Sequence, residues 1–481
     1  MIVLEHHTTK KKKCNLSRLK TTLAVWMLLS TAAGAQTATY ADYPQKRGQV
    51  QPLQWELLPS WMTLGMELRG RTEGQTSYNY TQNGDRIYEL TRDYISLEVR
   101  PTSFLTGYLQ SIDTHALGLP THVVGANMRD VFDDRQAYLD FHVRPKNVPL
   151  DFIAGRQELK FGSERVIGIS DWTNNSRSWD GFDARIGNKN RVDLFSTSVV
   201  AVHPESLDKH GAGLTFHGAY GSLSGLIPKT RIDPYVLVRA VRGVTSQQGI
   251  KGNEVETTFG VEAQGELPAH FDYEINGSLQ RGSYSNDSIH AGQSFGRFSY
   301  SIPKIPWRPR LGGEYDFATG NSRNNLYRIS TYDQQYPSNH NAFGLTDLFG
   351  YENIRQERLN LDLAPSPNLT FLVQGEFLNL VNTHDNLYSG SGGVTIKAPT
   401  TGFASDAIGS GIDLSGKYVF HEYLVANIGV GHLFPGGLLL TNNHGPAETL
   451  GYFSLTYRYR VDKHAARPQA ISSRTGATTT H

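Results

Sequence analysis

Basic side chains recur two residues apart in this sequence, Arg69 with Arg71 near the start and Arg458 with Arg460 near the end; Arg100, Arg144, Arg156, Lys160 and Arg185 lie between them. A guanidinium is a planar fork that donates two parallel hydrogen bonds to a carboxylate, so a row of them suits an anion handed from one contact to the next. Each contact in such a row has to be weak, because a single tight one stops a moving solute. A separate acidic set comprises Glu262, Glu266, Asp272 and Glu274, while Glu67, Glu98, Asp140 and Glu158 are interspersed with the basic residues and are placed to pair with them.

Other chemistries have less behind them. Glu314 and Asp316 are the residue types that flank a glycosidic bond in hydrolases, but they fall on alternate positions of a strand pattern that already accounts for them. No Ser-His-Asp arrangement stands out, the histidines are scattered, and His432 reads as a rim or packing residue, so no enzyme is expected. The oxygen-rich piece from Asn382 to Asn386 is compatible with calcium, yet a solvated loop has the same composition; no metal and no cofactor is expected. The Lys10 to Lys13 run belongs to the N-terminal segment, and nothing else suggests a nucleic-acid partner.

The elements that must position these groups are strands. Phe453, Leu455, Tyr457, Tyr459 and Val461 alternate with Tyr452, Ser454, Thr456, Arg458 and Arg460, and side chains two apart share one face of a strand. Met62, Leu64, Met66 and Leu68 alternate in the same way with Glu67, Arg69 and Arg71, and Leu359, Leu361 and Leu363 with Arg358, Asn360 and Asp362. One greasy and one wet face recur along the chain, at about 61–72, 91–100, 103–114, 135–144, 151–162, 182–188, 191–202, 211–221, 234–242, 257–267, 271–282, 293–302, 308–318, 355–364, 369–380, 410–420, 423–434 and 450–461. That predicts an all-β chain of about eighteen strands, each long enough to cross a bilayer when tilted.

Turn lengths separate a membrane barrel from a soluble sandwich. Short turns at Arg100-Pro101-Thr102, Arg144 to Leu150, Pro268-Ala269-His270, Ala364 to Asn368 and His421-Glu422 alternate with long polar ones at Thr72 to Glu89, His115 to Asp134, Ala318 to Ile354 and Val381 to Ser405. Short turns on one rim and long loops on the other are the asymmetry of an outer-membrane antiparallel β-barrel. Charged residues make up 19% and aromatics 11%, with 48 glycines, a bias that suits strands with aromatic girdles and tight turns. Net charge is only +1, so any preference for anions has to come from local placement.

A basic stretch (Lys10 to Lys13, Arg18, Lys20), an apolar stretch (Thr21 to Leu29) and the small residues Ala33-Gly34-Ala35 read as a secretory signal peptide over 1–35. The apolar part is too short to span a bilayer. Cys14, the sole cysteine, precedes it, so the exported chain carries no thiol. A lead-in over 36–60, one transmembrane barrel over 61–461 and a polar tail over 462–481 complete the expected organisation, with lipid around the barrel.

One non-periodic stretch interrupts the pattern. Asp171 to Asp183 holds two tryptophans, three aspartates and an arginine, either a platform on which sugar rings stack or a loop fixed against the barrel wall. Gly155-Arg156-Gln157-Glu158, then Asp171-Trp172 with Asn174, and Arg177-Ser178-Trp179-Asp180-Gly181 resemble the alginate-export family of outer-membrane proteins. Gly313 to Gly320, Asp347 to Ile354 and Gly429 to Gly436 match the same family in the same order, over nearly all of the exported chain. The resemblance implies an eighteen-stranded barrel whose arginine-lined pore passes an anionic uronate polymer by passive diffusion, usually beside a periplasmic scaffold lipoprotein. The wet faces depart from that picture, with a basic wall formed by early strands and the last one and an acidic wall far around. A porin for oligosaccharides or small anionic solutes is the alternative of the same fold, and a glycan- or lipid-acting enzyme the alternative of another class.

Overall fold

A computed structural model describes residues 58–322, 326–340, 342–442 and 445–461. The expected signal peptide, the 462–481 tail and all but the end of the lead-in lie outside the described residues. Eighteen strands form the wall: β1 (Met62–Thr76), β2 (Arg86–Thr102), β3 (Leu105–Leu117), β4 (Asp130–Val143), β5 (Leu150–Gln157), β6 (Trp179–Gly187), β7 (Arg191–Ala201), β8 (Leu214–Ser224), β9 (Thr230–Thr245), β10 (Lys251–Leu267), β11 (Phe271–Tyr284), β12 (Asp287–Ser301), β13 (Arg310–Ala318), β14 (Ile354–Ser366), β15 (Leu369–Leu380), β16 (Ala407–His421), β17 (Leu424–Pro435) and β18 (Glu448–Val461). Each pairs antiparallel with its neighbour in sequence, and β18 closes on β1 from Leu64 opposite Val461 to Thr76 opposite Thr449. Closure leaves no strand edge, which a chain in hydrocarbon requires because no water is there to pair a free N–H or C=O.

All eighteen expected segments are present. Several run further than alternation indicates, β2 starting at Arg86 and β9 spanning Thr230–Thr245, because backbone pairing continues into polar strand ends where there is no lipid to impose a greasy face. Short connections (103–104, 144–149, 188–190, 225–229, 268–270, 302–309, 367–368, 422–423) gather on one rim. The other rim carries 77–85, 118–129, 158–178, 202–213, 319–353, 381–406 and 436–447, with two short connections among them, 246–250 and 285–286.

Outward positions are apolar and exposed around the wall, among them Ile95, Leu139, Phe182, Phe259, Leu279, Ile428 and Leu359, the last 73% exposed. A belt of this extent far exceeds the apolar patches that soluble monomers tolerate and is solvated by acyl chains. Near the short-turn rim, ring pairs such as Phe271 with Tyr300 (4.7 Å) and Tyr423 with Tyr459 (5.6 Å) sit where the interface favours amphipathic aromatics.

The lumen is largely filled. Loops 158–178 and 319–353 knit together inside it through a parallel bridge between Ile167 and Tyr336, with Gly168 N donating to Tyr336 O at 2.8 Å and Tyr336 N to Val166 O at 3.0 Å. Leu159, Phe161, Ile167 and Ile169 pack there with the wall residues Trp179, Phe195, Phe216 and Leu237. A second core joins Phe343, Phe349 and Tyr351 of the 319–353 loop to Leu387 and Phe403 of the 381–406 loop and to Ile354, Leu378 and Ile408 of the wall.

Candidate functional site

Alternation along β1 turns Glu67, Arg69, Arg71 and Glu73 to the lumen, and β2 adds Arg92 beside them. The 171–174 piece of the 158–178 loop crosses directly in front. Arg69 donates to the carbonyl oxygens of Asp171 (2.7 Å) and Thr173 (2.9 Å), Arg71 to that of Trp172 (2.6 Å), and Arg92 to that of Asp171 (3.0 Å). Arg92 also pairs with Glu67 and, at 2.9 Å, with the Asp171 carboxylate. The guanidinium forks therefore hold loop backbone and are not bare.

The loop side is built to match. The Trp172 indole stacks on the His340 ring with centroids 3.5 Å apart, and the Arg71 guanidinium lies 3.7 Å from the indole centroid. Asn174, buried, has its Nδ2 2.9 Å from both Thr91 O and Met128 O and 3.2 Å from His115 O, tying the loop to three separate stretches of chain. Burial works against charge on Asp171, but Arg92 and then Arg69 outweigh it and hold the carboxyl below the usual range. Burial brings the Arg177 guanidinium down to about 10 while it donates to the carbonyls of Gly168 and Tyr336, both at 2.7 Å. Of the two readings of this stretch, the structure has the loop fixed against the wall, with the Trp172 face covered.

The remaining motif residues are structural in placement. Trp179 is fully buried in the luminal core. Gly155 (φ +131°) and Gly181 (φ +153°) face each other across β5 and β6; a Cβ on either would stand 2.2 Å from a carbonyl oxygen, of Ala137 and of Ser196, so only glycine lets these strands approach.

Towards the short-turn mouth the basic wall opens to water. Arg458 and Arg460 turn inward, and their side chains are 59% and 42% exposed; Arg458 pairs with Glu67 at 2.6 Å, and Arg460 reaches Glu98 at 3.3 Å. Arg100 also pairs with Glu98. Lys417 on β16 shares the luminal face by alternation with Asp413 and Ser415. Glu67 is thus shared by Arg92 and Arg458, and Asp171 lies 2.9 Å from the first and 4.0 Å from the second.

Three expected wall positions are corrected. Arg144 is in the exposed 144–149 turn, beyond the end of β4. Lys160 follows the end of β5 and pairs with Glu164 inside the 158–178 loop, at 2.5 Å. Arg156 is on β5, but Trp179 turns into the lumen, so its strand neighbour Asp180 and the opposed Arg156 turn outward, on the side of Phe152 and Phe182. Arg156 is held there by Asp180 (2.8 Å) and by the Asp208 carbonyl (3.1 Å). Leu159 and Phe161 caused the misreading: their apolarity serves the loop core, and counting them as lipid-facing inverts the strand. Arg185 does face inward, bonded to Asp183 at 2.7 Å.

The acidic set lies on the luminal faces of β10 and β11 and is largely paired. Glu262 accepts from Ser163 N (2.9 Å), Glu274 pairs with Arg297 (2.6 Å), Asp272 with Arg310 (2.5 Å) and Glu266 with Lys229 (3.2 Å). Glu314 and Asp316 are both taken by Arg165, at 3.2 and 2.8 Å, and Glu314 also by Arg358 at 3.3 Å. His432 bonds Thr449 (2.7 Å) and packs on Phe434. Asp385 accepts from Asn321 N, Thr331, Asn386 N and Tyr388, which leaves it little capacity for an ion. Arg92, Arg135 and Arg358 on the wall, which grip loops, and Arg165, which reaches from the 158–178 loop to the wall, were not singled out as a group from the sequence; alternation puts Arg92 and Arg358 on wet faces, but their loop partners were not visible.

A closed barrel with a lipid belt, one short-turn rim and a lumen crossed by inserted loops is an outer-membrane channel of the porin type. The chain belongs to the alginate export family, whose sequence model matches residues 60–452. A search of curated proteins finds no match. Among solved structures, the fold is similar to a BenF-like porin from Pseudomonas fluorescens Pf-5 (TM-score 0.57, 10% identity, 83% of this chain and 99% of that one). It is also similar to OccAB3 from Acinetobacter baumannii (0.56, 9%, 83% and 99%) and to OccK3 (OpdO) from Pseudomonas aeruginosa (0.54, 12%, 84% and 98%).

Proposed function

We propose that this outer-membrane channel passes a carboxylate-bearing polysaccharide of the alginate type by passive diffusion along the wall where β18 closes on β1. The observation that supports this is the run of guanidiniums there: Arg100 and Arg460 on Glu98 and Arg458 on Glu67 at the short-turn mouth, then Arg92, which shares Glu67 and Asp171 with Arg458, and Arg69 and Arg71 on the loop backbone. Backbone carbonyls of the 171–173 piece occupy the Arg69 fork and, beside the Glu73 carboxylate, that of Arg71. A carboxylate is the stronger partner for a guanidinium, so a uronate arriving from the mouth competes for them and displaces the loop.

Planar-bilayer recording tests this. Two unit charges about 7 Å apart in water interact by about 0.6 kcal/mol. Arg458→Glu with Arg460→Glu changes the mouth by four charges, about 1 kcal/mol after screening at 0.1 M salt. The parent is expected to prefer anions and to be blocked by poly-uronate, and the double variant, which acts with opposite sign on anions and cations, to shift the anion to cation permeability ratio by about thirtyfold. Unchanged selectivity in that variant defeats the proposal. A second reading, a porin for small anionic solutes, draws support from the filled lumen; it predicts liposome swelling in small sugar acids with no block by polymer.

A further inference from the structure

Among the described residues, Asp130, Asp133 and Asp208 each place a carboxylate oxygen within 4.8 Å of those of the other two. Asp130 and Asp133 sit at the long-loop end of β4, and Asp208 comes from the 202–213 loop. Asp134 and Asp180 are close by, and Arg156 is the cation within reach of the group, 3.9 Å from Asp133, 3.5 Å from Asp134 and 2.8 Å from Asp180. Five carboxylates around one guanidinium leave a large local excess of negative charge.

Hydrogen bonding does not absorb it. Asp133 accepts from Asp134 N at 2.6 Å and from Asp208 N, and Asp208 accepts from His203 N at 2.6 Å. Asp130, a member of the triad, is 2% exposed, and its buried Oδ1 receives no hydrogen bond. A buried carboxylate oxygen with no donor, beside a single cation that pairs with Asp133, Asp134 and Asp180 instead, is costly, and it accounts for itself if a cation belongs in front of it. The other acidic groupings are already served: Arg239 spans Glu254 and Asp333, and His142 bonds Asp151.

We infer that Asp130, Asp133 and Asp208 bind a divalent cation of the calcium type, which clamps the 202–213 loop onto the end of β4. Hard oxygen donors select a hard cation. Ligand oxygens about 2.4 Å from calcium stand at most about 5 Å apart across the ion, which the observed separations satisfy. Carboxylates hold about four lone-pair sites each, so Asp133 and Asp208 can keep their backbone bonds while ligating.

The test is calorimetric titration of calcium chloride into the full chain, stripped with chelator and held in detergent micelles, alongside trypsin cleavage after Lys209, which lies exposed next to Asp208. Calcium is expected to bind with a dissociation constant of about 10⁻⁴–10⁻³ M and to slow cleavage at Lys209. Asp130→Asn and Asp208→Asn should each weaken binding about tenfold or more and abolish that protection. The chelated variants should be no less stable than the parent, because each loses a repulsive charge; a purely structural role predicts the reverse. If Asp130→Asn fails to fold, Asp208→Asn on the loop carries the comparison. No heat of binding at millimolar calcium, equal binding by the variants, or a site that takes magnesium in preference overturns the assignment.

Discussion

Replacing Trp172 by alanine isolates the loop clamp from the charges of the wall. The substitution removes the stack on His340, with centroids 3.5 Å apart, and the Arg71 guanidinium contact at 3.7 Å, while every charged group and the Trp172 carbonyl that Arg71 grips at 2.6 Å remain. An aromatic pair contributes about 0.5–1.5 kcal/mol beyond its buried area, and a cation over an aromatic face about 0.5–2. Their sum, about 2 kcal/mol, moves the balance between the seated and withdrawn loop about thirtyfold towards withdrawn. Single-channel recording of the refolded protein should show longer or more frequent visits to a larger conductance at unchanged ion selectivity, and Trp172→Phe should fall between parent and alanine. Conductance and open times within about twofold of the parent would refute the reasoning, placing the hold on the loop in Asn174 and the arginines alone.

Two further outcomes are expected. Arg358 is buried between Glu314 (3.3 Å) and Glu376 (3.0 Å); Arg358→Met leaves Glu376 buried without its cation and Glu314 with Arg165 alone, which costs about 3–5 kcal/mol, and a urea midpoint equal to the parent's would contradict it. Asp171 is held below its unfolded value by Arg92 and Arg69 despite burial; its contribution is therefore complete above the unfolded value of about 3.9 and is lost only as pH falls further, through the lower folded one. Asp171 should therefore hold the loop unchanged from neutral pH down to about 4, and an opening that Asp171→Asn reproduces at neutral pH but that sets in between about pH 6 and 5 in the parent would contradict it.

Which residues form strands was readable from the chain because alternation is a local property: a pleated segment with lipid on one side needs only its own neighbours to declare itself, as 450–461 does. Turn lengths likewise state the rim of most connections, 246–250 and 285–286 being the short ones on the long-loop side, and an even number of long alternating segments lets the last strand close antiparallel on the first. What each charge does is not local. Arg458 meets Glu67 from the opposite end of the sequence, Arg69 and Arg71 meet backbone a hundred residues away, and Arg165 spans Glu314 and Asp316; only folding brings these pairs within reach of each other. Position on the wet face was legible, but whether a fork is empty or filled was decided by loops that enter the lumen, and the apolar residues of those loops resemble lipid-facing ones until the core that they build inside the barrel is known. Arg156 shows both at once, misplaced by Leu159 and Phe161 and then engaged by a loop carbonyl on the outer side of the wall.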